Sequence, residues 1–210
     1  METGPILMRK NVRSSTLKAN DWVNRNFVKI LIALGLVVLV VVARLVPHLP
    51  DFTPTLAVGL VAGTYLPSGL ALLAGLGGYF ASNLFLPGNS FIGSLVVVAA
   101  IVVAITVGRF MSRVMRQRKI SRKLGAVVFA TLISSVAFFL ITNCNFLYNG
   151  YAFYPMNFGG LIESYVAGIP FFRTQLLGDL VYSGVLFGAA ETAKWLVLKH
   201  RTAAAFAKVK

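Results

Sequence analysis

One carboxylate in an apolar run is the first residue in this chain whose chemistry needs an explanation. In "FFRTQLLGDLVYSGVLFG", Phe171 to Gly188, everything after Arg173 reads as the start of a membrane-crossing helix, and Asp179 sits about five residues into it. An ionised carboxyl at that depth costs on the order of 2–3 kcal/mol on insertion scales, so intramembrane acids face a cavity or a partner. Arg44, at the far end of the first apolar run and at comparable depth, is the obvious counter-charge. The two can form a structural ion pair, line a site, or do both. Asn83 in "ASNLFLPGN" and Asn143 in "LITNCNF" carry amides that either satisfy helix ends or grip a polar ligand. Together with Tyr154 and Tyr182 they give the candidates for ligand binding: Arg44, Asn83, Asn143, Tyr154, Asp179 and Tyr182. His48, between two prolines and near Asp51, reads as a surface histidine.

Signatures of catalysis are missing. There is no G-x-S-x-G, no H-E-x-x-H, no P-loop and no clustered His, Asp and Glu set, so no enzyme, metal or cofactor is expected. The lone Cys144 excludes an intramolecular disulfide.

The elements that must position these residues are hydrophobic spans. The 210 residues are 57% hydrophobic and only 12% charged, with a mean hydropathy of +0.78. A soluble domain carries about twice that share of charge. The expected fold is all-α, an integral membrane bundle of six helices at about 27–46, 54–66, 70–86, 91–107, 124–143 and 175–198. Residues 1–26 form a basic arm and 199–210 a basic tail. An amphipathic piece from Asn157 to Gly168 is too short to span, and Pro170 is expected to end it. The arm does not resemble a cleavable signal, because its basic region is long and no A-x-A site follows the first run.

The net charge of +14 would point to nucleic acid in a soluble chain, but here its placement matters more than its sum. The arm, the loop "GRFMSRVMRQRKISRK" and the tail hold nearly all of it, and six spans put all three on one face. The positive-inside rule makes that face cytoplasmic, with both termini inside, in what reads as a bacterial plasma membrane. The segments 44–54, 82–90 and 142–173 then face outward. They carry Phe146, Tyr148, Tyr151, Phe153, Tyr154, Phe158, Tyr165, Phe171 and Phe172, which an interfacial aromatic belt explains first and a lid over a pocket second. Gly59/Gly63 and Gly184/Gly188 have the four-residue spacing that lets helices approach closely, and Glu191 with Lys194 reads as a pair at the inner helix end.

"RLVPHLPDFTP", "SNLFLPG", "FFLITN" and "GIPFFRTQLLGDLVYSGVLFG" resemble an uncharacterised family of small six-span membrane proteins, from about Arg44 to Gly188. That family looks like the substrate-binding S components of energy-coupling-factor (ECF) transporters. The resemblance implies a ligand site at the outward end, lined or braced by Arg44, Asn83, Asn143 and Asp179, with 144–172 contributing a lid. This chain has Asp51 where the family often has Asn. It also has Val37 four residues after Ala33, where S components carry a second alanine for docking their coupling subunit. The function expected is capture of a small organic solute for an importer whose energising ATPase module lies on other chains. The alternative is a non-catalytic accessory subunit of a larger membrane complex. In both, the partners are the lipid bilayer and other membrane subunits, and nucleic acid is not among them.

Overall fold

A computed structural model describes residues 26–86, 90–117, 119–148 and 153–207. The basic arm at 1–25, Arg118, Tyr151 and residues 208–210 lie outside the described residues. Helix α1, Asn26–Leu45, follows the longest uninterrupted apolar run and stops before "VPHLP", whose prolines cannot continue a helix. Helix α2, Thr55–Tyr65, begins after Pro54 and ends before Pro67, which in turn precedes α3, Ser68–Asn83. Helix α4, Phe91–Met111, has Ser90 as its N-cap, accepting from the Gly93 N–H at 2.9 Å. A 3-10 turn, Val114–Arg116, leads to α5, Ile120–Thr142, and a second, Asn145–Tyr148, follows it. Helix α6 runs from Phe158 to Ala207.

The described residues are therefore all helical apart from turns and connections, as expected. Helices α1, α4 and α5 are long and apolar enough to cross a membrane. Pro170 does not end a helix: it lies inside α6, so the expected amphipathic piece and sixth span are one continuous element. A proline inside a helix leaves one carbonyl unpaired, which an apolar helix tolerates where neighbours or local adjustment satisfy it.

The chain alternates direction, so the described residues have two distinct ends. Arg44, Asp51, Tyr79, Val97, Phe138 and Asp179 meet at one. At the other, the first turns of α1 (Val28, Lys29) and the 194–198 stretch of α6 line one groove. Glu191 also lies there, bound to Tyr65 Oη at 2.9 Å, Lys123 Nζ at 2.5 Å and Lys194 Nζ at 2.7 Å. The expected Glu191–Lys194 pair thus belongs to a larger clamp joining α2, α5 and α6.

Helix α2 is the axis. Every residue from Thr55 to Thr64 is buried, and α3, α4, α5 and α6 all pack on it. Its small residues permit this. A Cβ on Gly63 would overlap the Ile105 carbonyl, and one on Gly108 would overlap that of Leu60, so α2 and α4 touch backbone to backbone. Thr64 Oγ1 seals the contact, lying 3.0 Å from the Gly108 carbonyl oxygen.

The core is apolar, yet it also takes in polar side chains while much of the outer surface is apolar. Thr131, Ser134 and Ser135 of α5 are buried, as are Gln175, Asp179 and Ser183 of α6. Leucine, valine, isoleucine and phenylalanine are exposed along α1 and the outer faces of α3, α5 and α6.

Candidate functional site

Eleven residues of α helix rise about 16 Å, roughly half the hydrocarbon thickness. The missing length of α2 is at the Asp51 end. At the other end α2 keeps pace with α4, since Arg109 Nη1 donates to the Leu66 carbonyl at 3.0 Å. At the Asp51 end, Thr55 and Leu56 share a wall with Val97, six residues into α4 and so about 9 Å below its start. The space above α2 is a cavity of about 380 Å³, walled by all six helices and the 46–54 loop. A second cavity of about 400 Å³ adjoins it, sharing Asp51, Tyr79, Val97, Phe138 and Gln175. It extends toward Asn143, Tyr148, Phe171 and Phe172. Each volume falls within the range of small-molecule sites.

The loop that descends into this space is pinned at one residue. Phe52 packs against Tyr182 of α6 with the two rings tilted and their centroids 5.6 Å apart, and its backbone lies against Gly178, where a Cβ would stand 3.2 Å from Phe52 Cα. Asp51 precedes it with φ of 59°, in the left-handed region that Asp tolerates better than most residues with a side chain. That turn places the Asp51 carboxyl in the wall of both cavities. Strained backbone of this kind concentrates at functional sites. Burial raises the Asp51 carboxyl above its ordinary pKa, while His48 and then Arg44 pull it down.

The expected Arg44–Asp179 ion pair is not formed. Arg44 turns toward α3: its Nη1 lies 2.6 Å from Ser82 Oγ, 3.0 Å from Asn83 Oδ1 and 3.2 Å from the Tyr79 carbonyl oxygen. Its guanidinium carbon lies 4.7 Å from the Tyr79 ring centre. Asp179, 2% exposed, accepts instead from Ser135 Oγ at 2.7 Å and Gln175 Nε2 at 3.1 Å, both through Oδ2. The reason is supply. Sequence depth placed the two charges level, but α3 and α5 each offered nearer neutral partners. Both groups nevertheless line the same cavity.

The other candidates divide. Asn143 lines the second cavity, held by its Nδ2 donating to the Phe139 carbonyl at 2.9 Å. Asn83 and Tyr182 stand behind the walls, the first orienting Arg44 and the second anchoring Phe52. Tyr154 lines neither cavity. The expected lid is not a separate piece among the described residues: Phe158 onward belongs to α6, though Tyr148, Phe171 and Phe172 do wall the second cavity. Sequence reading passed over Asp51, His48, Tyr79 and Gln175 as wall residues. Gln175 was findable, because Gln175, Asp179, Ser183 and Glu191 recur at multiples of four along an otherwise apolar helix. Among the described residues no His, Cys, Asp and Glu group is placed to hold a metal ion.

Residues 24–203 match a family of unknown function, DUF6580. The chain belongs to this family. The matched region contains both cavities, the 46–54 loop and the Glu191 clamp, so the whole described bundle is the family's unit. No curated protein and no solved structure matches the chain.

Proposed function

We propose that this protein is a six-span membrane protein with both termini in the cytoplasm, which captures a small organic solute at its outward, Asp51 end. The cavity above α2, with Arg44 and Asp179 both in its wall, carries this reading. Apolar side chains outward and hydroxyls, an amide and a carboxylate inward are what a lipid solvent favours. The basic 109–123 connection and Lys194 lie at the Glu191 end, which supports a cytoplasmic assignment for that end. On this reading the protein works as S components of ECF transporters do. It is not an enzyme, and import needs an energising subunit on another chain.

A second reading, an accessory subunit of a larger membrane complex, has one observation in its favour. Gly184 and Gly188 have nothing within 4 Å of where a Cβ would stand, so this small-residue pair is unused within the bundle.

Purification in mild detergent from native membranes, with mass spectrometry of every companion, separates the readings. An ATPase module or a retained solute is the expected result. A large assembly with no retained solute would replace capture with the accessory role.

A further inference from the structure

The two cavities do not carry balanced charge. Asp51 and Asp179 stand in the wall of the first; the basic groups that share it are the Arg44 guanidinium and the His48 imidazole, and His48 acts on Asp51. Among the described residues no cation lies within ion-pair distance of Asp179, whose hydrogen bonds come from a hydroxyl and an amide. A carboxylate so enclosed is costly without an opposite charge. Ser135 and Gln175 hold it through a single oxygen, Oδ2. Arg44 is the complement. All its hydrogen bonds pass through Nη1, so Nε and Nη2, with three of the five N–H donors, have no acceptor among the described residues. Anionic and cationic groups thus stand in one cavity without touching each other, each with capacity to spare. Tyr79 and Phe138 line the same cavity, and the Phe138 ring offers an apolar surface for a short carbon chain.

We infer that the captured solute is a small zwitterion, its cationic nitrogen on Asp179 and Asp51 and its carboxylate on Arg44. This rests on the solute-capture reading and narrows it to a charge pattern. A neutral solute would leave the enclosed Asp179 without a counter-charge, and a simple anion would meet two carboxylates.

The test uses three matched probes, β-alanine, n-propylammonium and propionate, titrated against the purified full-length protein with binding followed by saturation-transfer NMR. β-Alanine is expected to bind best, with propylammonium next and propionate weakest. Asp179→Asn should weaken β-alanine and propylammonium by about tenfold or more. Arg44→Gln should weaken β-alanine and leave propylammonium unchanged. Asp51→Asn, which keeps the left-handed turn, gives a second carboxylate variant should Asp179→Asn not fold. Propionate binding best, or equal binding of all three in wild type and variants, would overturn the inference. So would no measurable binding of any probe to folded wild-type protein. A neutral or purely anionic solute found in the purified wild type would overturn the zwitterion while leaving solute capture intact. No retained solute and no probe binding would remove both.

Discussion

At the scale of single residues, the site depends on where two carboxyls are held. Asp51 is raised from the ordinary carboxylate range chiefly by burial, against the pull of His48 and Arg44, and Asp179 faces the same cavity. A raised folded-state value favours protonation, so this group's contribution to folding is present at low pH and is lost as pH rises through that value. Amine binding runs the other way, since it needs the carboxylate. Affinity for β-alanine should therefore begin to fall, as pH is lowered, above the pH at which an ordinary carboxylate protonates, and Asp51→Asn should flatten that profile. A profile unchanged by the substitution would take Asp51 out of the site. Gly178 tests the placement itself. A methyl there would press on the Phe52 backbone, which cannot rotate away, so Gly178→Ala should cost about 1–2 kcal/mol in thermal unfolding and weaken binding with it. Loss of neither would mean that the loop is not pinned as described.

At the scale of elements, sequence pattern and three-dimensional packing diverge in instructive places. The apolar runs gave α1, α4 and α5 closely, because in such helices length and hydropathy are the whole signal. Helix α2 was placed within a residue or so of 54–66, but its meaning was not legible. That it is enclosed by α3, α4, α5 and α6, and that its missing turns become a cavity that α1 also walls, depends on the other helices. Pro170 misled for a local reason: a proline's usual effect assumes a helix with little else to hold it, and α6 is held by α5 on one side. The same locality explains Arg44. Depth along a helix shows which charges are level, whereas rotation about the helix decides which of them meet. Glycine spacing was ambiguous for that reason too. Gly63→Ala must push the α2 and α4 backbones apart and should cost about 1–3 kcal/mol or more, on the order expected for overpacking. Gly184→Ala, with open space around it inside a helix, should leave the purified protein's unfolding temperature unchanged or raise it, by about 0.5–1 kcal/mol of helix propensity at most. Equal effects of the two would contradict the packing of α2 on α4.

At the scale of the whole molecule, charge and cavity point in opposite directions along one axis. The basic connection and the Glu191 clamp sit at one end, the two cavity carboxyls and Arg44 at the other. In a Cys144→Ser background, Leu84→Cys at the cavity end should react with an impermeant maleimide in intact cells. Ile120→Cys should react only after permeabilisation. Both positions are well exposed, so burial would not mask the result. The reverse pattern would invert the protein in its membrane and place the cavity inside the cell.

On the solute-capture reading, Asp179 holds a solute rather than a helix. The most direct measurement is the amount of small molecule released on denaturing equal quantities of wild type, Asp179→Asn and Glu191→Ala, each purified folded. Glu191→Ala loosens the clamp at the opposite end, so it controls for general destabilisation. A solute is expected in wild type and Glu191→Ala, and less than about a tenth of it in Asp179→Asn. A solute retained equally by all three, or lost equally from both variants, would contradict that reading.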